Sequence, residues 1–482
     1  MPAPTSLPLL DEPRDHCGLF GIHGHPDAVE LTYLGMYAQQ HRGQESAGIC
    51  CARNGHIERH AALGLVTQVF TPDSLKQMHG PIAIGHVRYS TTGSCNDANC
   101  QPLLVQYAGG QVAVAHNGNL INAGELRLLH EAQGAIFQTT SDTEVILHML
   151  ANPVHSDAPD PLASVLRELQ GAFCLLFIFP DRIEAARDPH GLRPLCIGRM
   201  ESGHYCVASE TCALDMIDAE YVRDVAPGEI VTLNDEGLSS RTFVEASAVR
   251  PAHCIFEMIY FADPASTVFG QNVHMYRVAL GRQLAREAPA PDADYVIPVP
   301  NCARCAAIGY SDESGMPRGR GFVTSHYSGR SFIMPSQHLR DLAVKMKLNV
   351  IKEAVKGKRL VVVEDSVVRG TTTRGKMGAL RKAGAKEIHL RVASPPIRHP
   401  CYFGIDFPDP RELAATGRTI EDIRDFLEVD SLAFLSHEGM LTCATQSPAN
   451  YCTACFSGKY PLPVHQPIEK LGFERLRTTA KV

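Results

Sequence analysis

The stretch Val361-Val-Val-Glu-Asp-Ser-Val-Val-Arg-Gly-Thr-Thr-Thr373 restricts what this chain can fold into more than any other. An apolar, β-branched run over 360–363 has the make-up of a buried parallel strand, and small and hydroxyl residues lead from it into a helical pattern over 374–383. A glycine-containing break and a second apolar run over 388–392 complete a βαβ unit. In such a unit a ligand sits beyond the carboxyl end of the strand, and a phosphate takes the free amides that open the next helix. Glu364 and Asp365 then fall at the strand tip, where paired carboxylates suit a cis-diol or a magnesium ion. Ser366, Arg369, Gly370, Thr371, Thr372 and Thr373 form the turn that cradles the phosphate.

At 482 residues the chain exceeds one ordinary core, so two or more domains are expected. Its 44% hydrophobic and 20% charged residues are the balance of a soluble globular protein. A net charge of −7 and a pI near 6.3 argue against nucleic acid as a partner. No apolar run reaches membrane-spanning length, and residues 1–16 lack the basic start and apolar core of a signal peptide, so a cytoplasmic location is expected. There, sixteen cysteines read as thiols, metal ligands or a nucleophile rather than as a disulfide framework.

The first half is strand-rich with flanking helices. A strand pattern opens at Cys17-Gly-Leu-Phe-Gly-Ile22, and four further blocks follow: His41-Arg-Gly-Gln-Glu45, His86-Val-Arg-Tyr-Ser-Thr-Thr-Gly93, His116-Asn-Gly-Asn119 and Ser141-Asp-Thr-Glu144. Each has a plain reading. Cys17 is a small buried hydrophobe, Asn117-Gly118 a hairpin turn, Ser141 and Glu144 a capping box with Asp142 at a helix N-terminus, and Arg42 and Arg88 solvated charges.

Taken in order, the five blocks resemble the class II glutamine amidotransferase domain, and the 361–373 stretch resembles the phosphoribosyl pyrophosphate (PRPP) signature of type I phosphoribosyltransferases. Together, from about residue 17 to 463, they resemble the glutamine PRPP amidotransferase family. The resemblance implies an αββα N-terminal-nucleophile glutaminase domain over 17–250 and a phosphoribosyltransferase domain with a parallel sheet over 251–463. A propeptide, 1–16, and a tail, 464–482, flank them. It also implies that Cys17 is the nucleophile, its freed α-amine the base, and Asn117 and Gly118 the oxyanion donors. Arg88 holds the glutamine carboxylate, Asp142 its ammonium group, and Arg42 supports the pocket. The implied reaction carries glutamine-derived ammonia to C1 of PRPP with Mg²⁺ on the diphosphate, forming phosphoribosylamine at the head of purine synthesis. A homotetramer restrained by purine nucleotides such as AMP and GMP belongs to the same expectation. Asp188-Pro-His-Gly-Leu-Arg-Pro-Leu195 and Ser209-Glu-Thr211 also match, and read as turns and strand ends.

The chain departs from the family at three places. Relatives carry an acidic residue and then Ser or Thr at the pyrophosphate loop, where this chain has Asn301 and Cys302, leaving backbone amides as the donors. Ser325-His326 replaces an Asn-Arg pair ahead of the loop that closes over PRPP, to which Arg330, Arg340, Lys345 and Lys347 lend positive charge. His16 stands before Cys17 where relatives more often have Glu.

Cys452-Thr-Ala-Cys455 has metal-pair spacing, and with Cys254 and Cys401 it resembles the ligand set of the iron–sulfur, propeptide-containing subclass. Spacing alone fits a 4Fe-4S cluster or a zinc ion, and Cys302-Ala-Arg-Cys305 is a competing pair. Loss of the cluster is expected to weaken the fold without touching the chemistry. Two rivals stand beside this reading: an amidotransferase with another ammonia acceptor, and a nucleotide-sensing regulator that no longer turns over.

Overall fold

Two antiparallel sheets stack face to face in the first half of the molecule. The computed structural model describes residues 17–89, 94–324, 348–407, 409–464 and 473–474. The expected propeptide, the closing-loop residues Arg330, Arg340, Lys345 and Lys347, the Ser325-His326 pair and most of the tail lie outside these residues.

One sheet has seven strands in the order Ala219–Asp224, Cys196–Met200, Tyr205–Ala208, Gly18–His23, Ile82–Arg88, Ser46–Arg53, His56–Leu63. The other has six, in the order Gly237–Thr242, Glu229–Asn234, Ile183–Arg187, Gly171–Ile178, Gly110–Leu120, Leu103–Tyr107. Leu19 and Ile84 of the first meet Ala115, Leu176 and Val231 of the second in a shared core. The outer faces are covered as well. Helix Ala28–Ala38 sets Met36 against Phe20, and helices Glu144–Ala151 and Pro161–Leu166 cover Phe173 and Phe177. Cover on both faces explains why Gly171–Ile178 is apolar and buried at every position instead of alternating.

In the second half, four parallel strands run in the order Tyr295–Pro298, Arg359–Glu364, Glu387–Val392, Ser431–Phe434. Alternation divides the central strand between two cores. Val361 and Val363 pack with Tyr276 and Tyr310 of helices Val273–Glu287 and Arg304–Ser314. Leu360 and Val362 pack on the opposite face with Met377, Leu380 and Ile423 of helices Thr371–Lys382 and Ile420–Leu427. Each fully buried valine contributes on the order of 2 kcal/mol. The expected fold class, stacked antiparallel sheets followed by a parallel α/β unit, is the one observed.

Register positions the loops. Pro298 pairs with Val363, and Val299 N donates to Val363 O at 2.8 Å, so the turns after Pro298 and after Val363 emerge side by side at the carboxyl end of the sheet. A two-residue parallel bridge pairs His253 with Tyr451 and Cys254 with Cys452.

Candidate functional site

Cys17 immediately precedes the strand Gly18–His23, and pairing of Gly18 with Val87 brings Arg88 alongside it. The Cys17 side chain is 7% exposed and its Sγ donates to the Tyr89 carbonyl at 3.5 Å. Burial pushes the thiol up to about 11, with Arg88 pulling it down and Asp142 and Glu45 pushing it further up. Arg88 and Asp142, far apart in sequence, thus act on one sulfur.

Asn117 and Gly118 lie inside the strand Gly110–Leu120, opposite Cys174 and Phe173. The hairpin expected from this dipeptide is not formed. Gly118 is instead required by close approach, since it sits at φ +151° and a Cβ there would lie 1.9 Å from the Ala172 carbonyl oxygen. Both polar atoms of the Asn117 amide are buried without a hydrogen-bond partner among the described residues. His86, from the strand beside Cys17, donates through Nε2 to the His116 carbonyl at 3.1 Å and ties the two sheets together next to Asn117.

Asp142 is buried, accepts from Leu120 N at 2.9 Å and lies 3.7 Å from His116 Nδ1. The expected capping box is absent. Helix Glu144–Ala151 has Thr143 as its cap residue without a side-chain bond, and Glu144 turns back to accept from the amides of Gln138 and Thr139, both at 2.7 Å. Those two amides occupy the Glu144 carboxylate that the capping box would need.

Arg42 and Arg88 are not solvated charges, being 1% and 2% exposed. The Arg42 guanidinium is committed within the protein: Nε donates to the Cys17 carbonyl at 3.1 Å, Nη1 to Glu210, and Nη2 to both oxygens of Glu257 at 2.9 and 3.0 Å. Burial works against both charges, but Glu257 and Glu210 outweigh it and hold the Arg42 pKa up, while His41 and Arg42 hold the Glu210 carboxyl down. Arg42 therefore fixes the backbone of Cys17 through a guanidinium that makes four hydrogen bonds within the protein.

At the end of the parallel sheet, Glu364 is 5% exposed and meets Lys376 Nζ at 3.3 Å, and Asp365 accepts from Ser366 Oγ at 2.9 Å. Arg369 reaches Glu412 with Nε at 3.1 Å and Nη2 at 2.7 Å. Gly370 caps the helix Thr371–Lys382 at φ +82°, and a Cβ would come within 3.0 Å of the Phe426 ring. The amides of Thr371, Thr372 and Thr373 form the first turn of that helix, where backbone N–H groups have no intrahelical acceptor.

Cys254, Cys401, Cys452 and Cys455 converge. Burial first, and then the neighbouring thiols, raise Cys452 and Cys455, while burial, Glu257 and Cys401 raise Cys254 to about 11. Cys401 is raised by burial, and Arg193 pulls it and Cys254 down. Four thiols gathered beside a buried guanidinium fit a group that binds thiolates. The competing cysteine Cys305 instead faces His274, with Sγ 3.2 Å from Nδ1. The Cys401 loop also braces the first half: Asn119 Nδ2 donates to the Tyr402 carbonyl at 3.0 Å and Arg193 Nη2 to the Phe403 carbonyl at 2.7 Å. This contact narrows the expectation that the cluster leaves the chemistry untouched.

A glutamine amidotransferase domain model matches residues 86–216. The amidophosphoribosyltransferase of Synechococcus elongatus is 45% identical over 95% of this chain and 94% of its own length. That of Mycobacterium tuberculosis is 45% identical over 94% and 88%. The chain belongs to the amidophosphoribosyltransferase family. Among solved structures, the Bacillus subtilis glutamine PRPP amidotransferase complexed with ADP and GMP matches with a TM-score of 0.87 at 44% identity, covering 93% of this chain and 98% of that one. A structure described as the allosteric regulatory enzyme of purine biosynthesis matches with a TM-score of 0.88, also at 44% identity, over 93% and 97%.

Three residues of this candidate site are not marked as functional by the sequence. Arg193, read as part of a turn, is fully buried and donates to Glu257 through Nη1 at 3.0 Å. Glu210, read as a strand end, bridges Arg42 and His41. Glu257 joins both arginines and was not singled out at all. The available signal is that the blocks carrying Arg193 and Glu210 match the family.

Proposed function

We propose that this amidophosphoribosyltransferase works through the residues assembled above, with Cys17 thiolate attacking the side-chain amide of glutamine. The tetrahedral oxyanion is taken by the Asn117 amide and the Gly118 N–H, Arg88 holds the substrate carboxylate and Asp142 its ammonium group. Collapse breaks the C–N bond, the leaving nitrogen takes a proton, and the thioester is hydrolysed to glutamate. The base is the Cys17 α-amine once residues 1–16 are removed, with a pKa of about 7.7 to 8.0. Arg42 supports the pocket by positioning the Cys17 backbone. The observation that carries the reading is the Asn117 amide, buried without a partner on the strand beside Gly118.

Ammonia then passes from the 17–250 domain to the 251–463 domain and displaces pyrophosphate at C1 of PRPP. Glu364 and Asp365 hold the ribose hydroxyls, and Ser366, Gly370, Thr371, Thr372 and Thr373 take the 5-phosphate through amides and hydroxyls. Arg330, Lys345 and Lys347 belong to the closing loop. Mg²⁺ neutralises the diphosphate when bound.

Cys254, Cys401, Cys452 and Cys455 hold a 4Fe-4S cluster, which ties the strand pair at Cys254 and Cys452 to the Cys401 loop. The pairing of Cys254 with Cys452 and the mutual influence of the four thiols support a site that binds several thiolates together. The enzyme acts as a cytoplasmic homotetramer under purine-nucleotide control, and the ADP and GMP bound to the Bacillus subtilis relative support the nucleotide control. No helix of the described residues is long and apolar enough to cross a membrane.

The test is Cys17→Ala. It should abolish glutamine-dependent synthesis and leave synthesis from ammonium salts intact, whereas loss of both in a folded protein contradicts the division of labour.

A further inference from the structure

The tail after residue 464 has no counterpart in the motifs that identify this chain, yet two of its residues pack on the glutaminase sheets. Glu474 Oε1 accepts from the Ser94 backbone N–H at 2.7 Å and from Thr140 Oγ1 at 3.5 Å. Phe473 packs against the apolar cluster outside the six-stranded sheet, with the Arg127 guanidinium 5.2 Å from its ring centre.

Both contacts fall on the segments that carry the glutamine grips. The Ser94 carbonyl accepts from Arg88 Nη1 at 3.4 Å, so the residue held by Glu474 is itself a support of Arg88. Thr140 stands two residues before Asp142. Asn99 closes the circuit: its Nδ2 donates to the Ser94 carbonyl and to Thr140 Oγ1, each at 2.8 Å, and its Oδ1 accepts from Thr140 N at 3.0 Å. Arg127, beneath Phe473, donates through Nη1 to the Thr139 carbonyl at 3.0 Å. One carboxylate oxygen therefore touches both the segment that supports Arg88 and the segment that leads into Asp142.

We propose that Glu474 is a positioning residue for glutamine capture, a C-terminal latch that keeps the Arg88 and Asp142 segments in register and is seated by Phe473. The proposal rests on the reading of Arg88 and Asp142 as glutamine grips. A carboxylate is suited to this role because it accepts two hydrogen bonds on one oxygen and strengthens both by its charge. The latch acts through other residues and touches no reacting atom, so its removal should appear in substrate affinity and not in the phosphoribosyl half.

The test compares Glu474→Ala, Glu474→Gln and Phe473→Ala in the full chain, measuring glutamine KM, kcat, synthesis from ammonium salts and thermal midpoint. Glu474→Ala should raise the glutamine KM about tenfold, the effect of losing one charge-assisted hydrogen bond. Its kcat should stay within about twofold and its ammonia-dependent synthesis should be unchanged, because PRPP chemistry lies elsewhere. Glu474→Gln keeps an acceptor oxygen and should recover most of the affinity, and Phe473→Ala should fall between the two. An unchanged glutamine KM in Glu474→Ala overturns the latch. So does a parallel loss of ammonia-dependent synthesis, which marks general damage. If the unaltered protein does not turn over glutamine, the glutaminase reading fails first. If it does and Glu474→Ala matches it, the latch alone fails.

Discussion

Arg42 and Glu257 meet across the two halves of the molecule with neither side chain exposed, the Arg42 Nη2 group donating to both carboxylate oxygens at 2.9 and 3.0 Å. The same guanidinium holds the Cys17 carbonyl, so docking of the second half bears directly on where the proposed nucleophile stands. Arg193 shares the Glu257 carboxylate and completes a buried triad. Breaking a buried pair by removing one charge costs about 3–5 kcal/mol, because the remaining ions keep their desolvation penalty. Glu257→Gln should therefore lower the thermal midpoint by roughly 10 °C. It should also slow glutamine turnover more than ammonia-dependent synthesis, as read by calorimetry and paired assays. Equal loss in both assays would remove the link to Cys17.

Gly370 tests the phosphate turn. A side chain at φ +82° is strained by about 1–2 kcal/mol and meets Phe426, so Gly370→Ala must shift the amides that open the helix. The expected outcome is a PRPP KM raised about tenfold or more with glutamine hydrolysis little changed, checked by titrating PRPP at fixed ammonium. An unaltered PRPP KM would mean these amides do not hold the phosphate.

His86 should make the fold acid-labile. Burial lowers its pKa to about 3, whereas the unfolded chain takes up the proton near 6.5. Below 6.5 the unfolded state binds more protons, so stability falls as the pH drops from 6.5 toward 3, by about 1.4 kcal/mol per pH unit. Thermal midpoints of the native chain and His86→Gln, compared between pH 4.5 and 7, should show the flatter dependence in the variant. Identical slopes would assign the acid lability to other groups.

Cys401 joins the proposed cluster to the glutaminase half through the Tyr402 and Phe403 carbonyls. Cys401→Ser, purified without oxygen, should lose most of its iron and sulfide and show lower glutamine-dependent turnover together with lower thermal stability. Metal analysis of the native chain that returns zinc and no iron would end the iron–sulfur reading.

The parallel sheet was legible because local pattern and burial agree there: Val361 and Val363 face one core, Leu360 and Val362 the other, and the hydroxyl-rich turn follows directly. Cys17, Arg88 and Asp142 were legible as members of ordered blocks. The Asn117-Gly118 dipeptide misled because its turn preference is local, while the residue that decides its backbone, Ala172, arrives from another strand. The Ser141 and Glu144 spacing misled for the same reason, since Gln138 and Thr139 supply better-placed donors than the cap. The Arg42, Glu210 and Glu257 network could not be read from any window, its members standing 168 and 215 residues apart. A buried charge declares itself only when its partner is seen.

The most direct measurement of the central claim is product stoichiometry. Anaerobically purified protein is given glutamine, PRPP and Mg²⁺, and glutamate and pyrophosphate are counted from the same reaction. The account predicts equal amounts of both, with neither formed at the full rate when the other substrate is withheld. Glutamate released freely without pyrophosphate would mean that ammonia does not reach a phosphoribosyl acceptor, and the absence of both in a protein beginning at Cys17 would contradict the account outright.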